Sequence, residues 1–319
     1  MRKTALAGSF AIALVSTFAT AQSYPTKPVR IIVPVAPGGG SDFLARAAAP
    51  RLTEALGQQF IVENRPGASG VVGTEFGVKS APDGYTLTVV ISNYASYPSL
   101  YKLNFDPARD VQPLFQISQG PFLAAVHPSV PARNIKELIA LSKRKPGDIT
   151  YVSTGSGALS HLSVEYFCML ADVKMTHIPY KGTGPALIDM VSGQTNLIFG
   201  SILPTVPHVR SGRLRALAVT TAKRVPVEPN IPTIAESGLP GYEVINWHGV
   251  VLPQNTPRPI VDRLNAELNK IFRSPEMIER LQNEGVLPAG GTPEDFGARL
   301  NREITLWTKV IKQAGVKAD

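Results

Sequence analysis

The stretch VRIIVPVAPGGGSD at residues 29–42 joins an apolar, β-rich run to a helical pattern through three consecutive glycines. The helical pattern runs from about Asp42 to Leu56 and is followed directly by Gly57. A buried strand, a short glycine loop and an amphipathic helix form one unit of an α/β sheet. The stretch therefore predicts an α/β fold.

A second stretch of the same design, YVSTGSGALSH, occupies residues 151–161. Alternating β-rich and helical patterns surround both stretches, which predicts two parallel sheets flanked by helices. The length of 319 residues suits two domains. Three helical patterns after residue 256 are too few for a third domain, so we expect them to complete the first. The predicted domains are residues 22–118 with 247–319, and residues 119–246.

The N-terminus has the features of a secretory signal peptide. Arg2 and Lys3 precede an apolar run from Ala5 to Ala19, and small residues follow up to Ala21. The apolar run is too short for a membrane span, although an uncleaved N-terminal anchor is the alternative. We predict a signal peptide over residues 1–21, cleavage near Ala21, and a mature protein in the periplasm.

Composition excludes several classes of partner and cofactor. The formal net charge is +8, but the basic residues are scattered, without the aromatic-and-basic stripe of a nucleic-acid surface. Such a charge favours the approach of an anionic ligand. The single cysteine, Cys168, lies in an apolar helical pattern and is expected in the core. The five histidines show no metal-ligand spacing, so neither a metal nor another cofactor is predicted.

The two glycine loops are the main candidates for a binding site. Amides at a helix start attract anions, and glycine lets the backbone approach a ligand closely. Both loops follow strands, at the sheet edge where α/β proteins bind ligands. Two facing loops would hold a molecule with an acceptor at each end, such as a di- or tricarboxylate. The alternative is that the glycines only permit tight turns. The predicted residues are Gly38, Gly39, Gly40, Ser41, Thr154, Gly155, Ser156 and Gly157.

Further candidates follow other predicted strands or loops. They are Ala68, Ser69, Ser92, Thr183 and Ser201. Asp42 either caps its own helix or accepts a hydrogen bond from the ligand. We favour the cap, because a carboxylate beside an anionic ligand would repel it.

Catalytic arrangements are not recognisable. Ser153 stands where the nucleophile elbow G-x-S-x-G requires its first glycine, before Gly155-Ser156-Gly157. No lysine follows a glycine loop at phosphate-loop spacing, and Pro37 to Ser41 does not fit the dinucleotide fingerprint. A binding protein without catalytic activity is therefore predicted. An exported hydrolase or isomerase is the enzymatic alternative, and a periplasmic sensor for a signalling partner would use the same cleft.

Several short motifs, in a fixed order, resemble the Bug receptor family, the periplasmic binding components of tripartite tricarboxylate transporters. They are Pro37-Gly38-Gly39 with Asp42, residues 63–70 (ENRPGASG), 81–87 (APDGYTL), Ser160-His161-Leu162, 179–186 (PYKGTGPA) and 214–220 (LRALAVT). Gly40 and Ala158 depart from the usual family residues.

The resemblance implies a two-domain periplasmic-binding-protein (Venus-flytrap) fold, with a small carboxylate in the cleft between the domains. It points to Gly38 to Ser41 and Thr154 to Gly157 as ligand-binding segments. It also implies membrane permease subunits as partners, and we expect the receptor to be a monomer.

Overall fold

Two β-sheets, each covered by helices, account for the part of the chain that the structure describes. The structure is a computed structural model that describes residues 24–283 and 285–318. The predicted signal peptide lies outside these residues. No helix within them is both long and apolar enough to cross a membrane.

The first sheet has the strand order β11-β4-β10-β3-β1-β2. Only β10 and β11 run against the other strands of this sheet. Its strands are β1 (Val29–Val33), β2 (Phe60–Asn64), β3 (Thr86–Ile91), β4 (Val111–Gly120), β10 (Asn246–Pro253) and β11 (Leu287–Pro288).

The second sheet has the strand order β7-β6-β8-β5-β9, and in it only β5 is reversed. The prediction of parallel sheets is therefore corrected: both sheets are mixed, with parallel and antiparallel pairs. Its strands are β5 (Phe122–Val126), β6 (Thr150–Ser153), β7 (Thr176–Pro179), β8 (Leu197–Ser201) and β9 (Arg215–Val219). The reversed strands β5 and β10 are those that begin where the chain passes from one sheet to the other.

Most helices begin at or near the predicted positions. The last helix begins with a capping box, in which Thr292 and Asp295 each bond the other's backbone amide. The helices are α1 (Gly40–Leu56), α2 (Val71–Val78), α3 (Tyr97–Leu100), α4 (Ile135–Arg144), α5 (Leu159–Ala171), α6 (Thr183–Ser192), α7 (Ile202–Arg210), α8 (Arg258–Phe272), α9 (Pro275–Asn283) and α10 (Pro293–Ala314). Cys168 is buried in the core on α5, as expected.

Four elements were not predicted: the short elements α3 and β11, and the longer β4 and α7, each of which contains proline. Strand β4 contains Pro113, which cannot donate a ladder hydrogen bond. Pro113 sits opposite Val251, where the register with β10 shifts, and β11 pairs only with the far end of β4. Helix α7 contains Pro204 in its first turn, where no intrahelical donor is needed, and Pro207 further on.

The chain changes sheets at two neighbouring points. Strand β4 ends at Gly120, and β5 begins at Phe122 after Pro121 alone. The return occurs at Asn246, the first residue of β10, which pairs with Gly120. Just before it, the Val244 amide still donates to Thr220 in the second half of the chain. Both passages therefore lie side by side.

Helix α10 packs against both halves of the molecule. Phe296 and Leu300 belong to a core cluster with Trp247 of the first sheet. Farther along the helix, Trp307 belongs to the cluster that contains Phe167 of α5 and strands of the second sheet. The predicted assignment of residues 247–319 to the first domain did not anticipate this second contact.

We expect Trp307→Ala to lower the free energy of unfolding by about 3–5 kcal/mol, the usual cost of truncating a buried tryptophan. Trp307 is 1% exposed and meets the Tyr166 ring edge-on at 6.1 Å. Urea unfolding followed by circular dichroism measures the change. Lys309→Ala, at an exposed position on the same helix, is the control. Equal stability of the two variants would contradict the packing described for α10.

Candidate functional site

The first glycine loop leads into α1 without a capping side chain. Gly39 is the N-cap residue, and the helix begins at Gly40. The amides of the first helical turn have no acceptor within the helix. Gly38 has φ +90°, a conformation that glycine adopts without strain. The first turn of α1 thus offers the amides of Gly40 and Ser41 as donors.

Asp42 lies inside the first turn of α1, so the predicted N-cap role is wrong. The helix begins two residues earlier than expected, and the Asp42 carboxylate reaches back to accept from the Gly38 amide at 3.0 Å. It also accepts from Arg46 Nε at 3.0 Å and from Asn64 Nδ2 at 2.9 Å. The Arg46 hydrogen bond is the main cause that lowers the pKa of Asp42 to about 2. Asp42 therefore holds the loop in place by accepting from the Gly38 amide, which is no longer available to a ligand.

The second glycine loop, residues 154–158, also uses several of its own amides. The Thr154 amide donates to Ser160 Oγ at 3.0 Å, and the Gly157 amide donates to His161 Nδ1 at 3.1 Å. The Gly155 amide donates to Ser153 Oγ at 3.2 Å. These amides are engaged by side chains that flank the loop, contrary to the expectation that they are left for a ligand.

Under this loop lies a cluster of rings, in which Tyr151 and His161 are buried and His177 is half-buried. His161 stacks on His177 with ring centroids 3.6 Å apart, and His177 Nε2 lies 2.7 Å from Ser153 Oγ. The Tyr151 hydroxyl donates to Glu165, whose carboxylate lies 3.8 Å from His161 Nε2. Burial raises the pKa of Glu165. His161 is therefore packed beneath the loop and supports it by accepting from the Gly157 amide.

A cavity of about 260 Å³ joins residues from both halves of the chain. We call it the Ser69 cavity, and its lining includes Ser69, Asn93, Tyr97, residues 154–158 and Lys181. Asn93 Oδ1 accepts from the Leu159 amide at the start of α5, which links the two halves. The structure thus brings predicted residue Ser69 together with the second glycine loop.

A second cavity, of about 320 Å³, contains predicted residues Gly40 and Ser201. We call it the His248 cavity, because the other polar side chains in its lining are Asn246 and His248. Ser92 lies behind it, buried, and its Oγ donates to Asn246 Oδ1 at 2.9 Å.

The remaining predicted residues are placed less directly. Gly38 and Asp42 line a separate depression with Arg46, and Ser41 is buried in the first turn of α1. Gly39, Ala68 and Thr183 are not among the lining residues of the Ser69 or His248 cavity.

Sequence reasoning missed several lining residues of the two cavities, among them Tyr97, Tyr101, Asn246 and His248. The two tyrosines lie on or next to α3, a short helix that was not predicted. Asn246 and His248 alternate with Trp247 and Gly249 in an otherwise apolar strand, a pattern that places both on one face. That alternation is the signal that could have revealed them.

The chain has two mixed β-sheets covered by helices, and its cavities lie between the two halves. This architecture is that of the periplasmic solute-binding proteins. The solved structures that share the fold include an R. palustris protein with adipate, 37% identical, with a TM-score of 0.76. The match covers 92% of this chain and 99% of that one. MatC from Rhodopseudomonas palustris, with bound malate, is 31% identical with a TM-score of 0.72, covering 90% and 100%. The predicted two-domain binding-protein fold is confirmed.

The chain belongs to the tripartite tricarboxylate transporter family of receptors, whose sequence profile matches residues 44–316. Protein BugT of Bordetella pertussis is 33% identical over 323 residues, which covers 99% of this chain and 98% of BugT. The predicted resemblance to Bug receptors is therefore confirmed.

We expect Asp42→Asn to lower the free energy of unfolding at pH 7 by about 1–2 kcal/mol, because it weakens hydrogen bonds to a charged group. The pKa of Asp42 in the folded protein is about 2, below its ordinary value of 3.8. Its stabilising effect is therefore complete above about pH 4 and is lost as the pH falls towards 2. Chemical denaturation at pH 7 and pH 3 should show a smaller difference at pH 3.

Glu54→Gln is the matched control for Asp42→Asn, since it removes the same charge from an exposed position on α1. It should leave stability nearly unchanged at both pH values. A loss in Asp42→Asn that does not depend on pH would contradict the assigned role.

Proposed function

We propose that the mature protein is a periplasmic receptor that captures a small di- or tricarboxylate between its two halves. It then delivers the ligand, chemically unchanged, to the membrane permease subunits of a tripartite tricarboxylate transporter. The observation that carries the proposal is the Ser69 cavity, where the loop around Ser69 faces the second glycine loop. Family membership and the ligands of the two R. palustris proteins support it.

The charges around the Ser69 cavity suit an anion. Lys181 lies in its lining, which contains no carboxylate among the described residues. Asp42, the carboxylate nearest in sequence to the first glycine loop, is neutralised by Arg46 in a separate depression. The formal net charge of the whole sequence is +8, and although Arg2 and Lys3 leave with the proposed signal peptide, the mature protein keeps a positive charge that adds a long-range attraction for anions.

The donors in the cleft are a mixture of side chains and backbone. We propose that Gly39, Gly40, Ser41 and Ser201 contact the ligand on the side of the His248 cavity, and Ala68, Ser69, Thr154, Gly155, Ser156, Gly157 and Thr183 on the side of the Ser69 cavity. The engaged amides of Thr154, Gly155 and Gly157 shape the wall of the site, and the donors are the remaining amides and the hydroxyls. Gly38, Asp42 and Ser92 support these groups through the hydrogen bonds described above. Micromolar affinity needs about 8 kcal/mol in total. One helix start contributes only about 0.3–1 kcal/mol at an exposed position, so hydroxyls, Lys181 and bridging waters supply most of it.

The sheet topology supports a hinged arrangement. We propose two domains, residues 22–118 with 247–319 and residues 119–246, that close on the ligand about the paired passages near Gly120 and Asn246. A ligand drives closure only through its greater affinity for the closed state. We further propose cleavage of the signal peptide near Ala21 and a monomeric mature protein.

Calorimetric titration with succinate, malate, glutarate, adipate and citrate tests the proposed function. We expect Ser69→Asp to weaken binding of the tightest ligand by about tenfold or more, because it places a negative charge in the Ser69 cavity, next to the carboxylate of the ligand. Ser69 has φ 54° and ψ 26°, a left-handed conformation that Asp and Asn both tolerate.

Ser69→Asn is the matched control, since it has nearly the same size and no charge. It should keep the affinity within about threefold of the wild type. Equal effects of the two variants would show that the carboxylate does not lie near Ser69. Binding of no panel member to the wild type, or recovery of a chemically altered ligand, would contradict the receptor function.

Small-angle X-ray scattering measures the proposed closure. We expect the radius of gyration of the mature protein to fall when the tightest ligand of the panel is added, because closure brings the two domains together. Ser69→Asp at the same ligand concentration should remain expanded. An unchanged radius at saturating ligand would contradict hinged closure.

A further inference from the structure

His248 lines a cavity between the two halves of the chain and is not among the residues proposed above to contact the ligand. It lies in β10, two residues after Asn246, and is half-buried in the lining of the His248 cavity. Its Nδ1 lies 3.0 Å from Ser118 Oγ on the neighbouring strand β4. Its Nε2 has no hydrogen-bond partner among residues 24–283 and 285–318. One nitrogen is therefore fixed by the protein, and the other remains for a ligand.

Gly40 faces this second nitrogen. A Cβ atom at residue 40 would lie 3.6 Å from His248 Nε2 and 3.9 Å from Cε1, which is ordinary van der Waals contact. Glycine therefore leaves the space beside Nε2 open, at the residue where α1 begins. The absence of a side chain at Gly40 therefore keeps His248 Nε2 accessible from the cavity.

The chemistry of the His248 cavity is that of a neutral donor site. Its lining holds no charged side chain among the described residues, and Phe43, Leu44 and Ile202 contribute apolar surface. Burial lowers the pKa of His248 to about 4, so the ring is neutral at physiological pH. When the Ser118 hydroxyl donates to Nδ1, the ring proton resides on Nε2 and that atom is a donor.

Asn246 adds a second donor to the same cavity. Its Oδ1 accepts from Ser92 Oγ, so the side-chain NH₂ group is what it retains for a ligand. The amides at the start of α1 also lack acceptors within the helix. Donors thus surround an otherwise apolar space, which suits an oxygen acceptor at the end of a methylene chain.

We propose that His248 is a specificity-determining residue that donates from Nε2 to an oxygen at the far end of a linear dicarboxylate, and that Gly40 keeps this position open. The inference rests on the proposed function and deepens it by assigning an end of the ligand to the His248 cavity. Ser118 is the positioning residue that holds the ring and its tautomer.

The test compares ring and donor variants by calorimetry with the tightest of succinate, malate, glutarate and adipate. His248→Phe keeps an aromatic ring and removes the donor, and we expect the affinity to fall about 10- to 100-fold. His248→Gln retains an amide donor at a similar reach and should recover most of that loss. Gly40→Ala should fold normally and also weaken binding, because its Cβ covers Nε2.

His127→Phe is the control, since His127 bonds Ser129 and lies outside both cavities. It should leave the affinity unchanged. Should His248→Phe not fold, ¹⁵N spectra of the wild-type imidazoles give the answer, because ligand must shift Nε2 of His248.

Unchanged affinity in His248→Phe and Gly40→Ala, or an unshifted Nε2 resonance, would overturn this inference and leave the receptor function intact. Binding of no dicarboxylate to the wild type would overturn both.

Discussion

The antiparallel pairing of β4 with β10 is the constraint on which the rest of the molecule depends. Gly120 and Asn246 pair at the end of this ladder, where one strand leaves the first sheet and the other returns to it. Pro121 alone separates β4 from β5. The start of β5 in the second sheet is therefore tied closely to the end of β4 in the first. The same ladder carries His248, which lines the His248 cavity, and the buried Ser118, whose Oγ lies 3.0 Å from His248 Nδ1.

The glycine loops are held in place before any ligand arrives. Asp42 binds the amide of Gly38, and Ser160 and His161 bind the amides of Thr154 and Gly157. A loop that is already ordered loses little conformational freedom on binding, which favours affinity. In consequence, fewer backbone amides without a partner remain in these loops, so the donors available there are mainly side chains.

Much of the fold could be predicted from the sequence, because each strand, glycine loop and helix leaves a local pattern. Strand β4 and helix α7 could not. Pro113 is tolerated where the register with β10 shifts, Pro204 lies in the first turn of α7, and Pro207 lies inside that helix, where proline ordinarily signals a break. The loops of the candidate site were likewise predictable, and their placement beside Ser69 and Ser201 agrees with the strand-end rule.

Which atoms of those loops remain available was beyond the sequence. The Gly38 amide is engaged because the helix begins earlier than its polar residues suggest, and the Gly157 amide is engaged by a side chain four residues away. His248 belongs to no motif, and its position opposite Gly40 becomes visible only in the folded chain.

Helix α10 connects the two halves of the molecule a third time. This connection is made by side-chain packing and not by the chain passing between the sheets. The first turns of the helix pack against the first sheet, and Trp307 belongs to the core cluster of the second half of the chain, which also contains Phe167. The segment from residue 119 to 246 consequently lacks part of its own interior when cut out of the gene. Evolutionary exchange or laboratory swapping of that segment between relatives must therefore bring along the end of α10, or an aromatic-sized hole is left in the transplanted half.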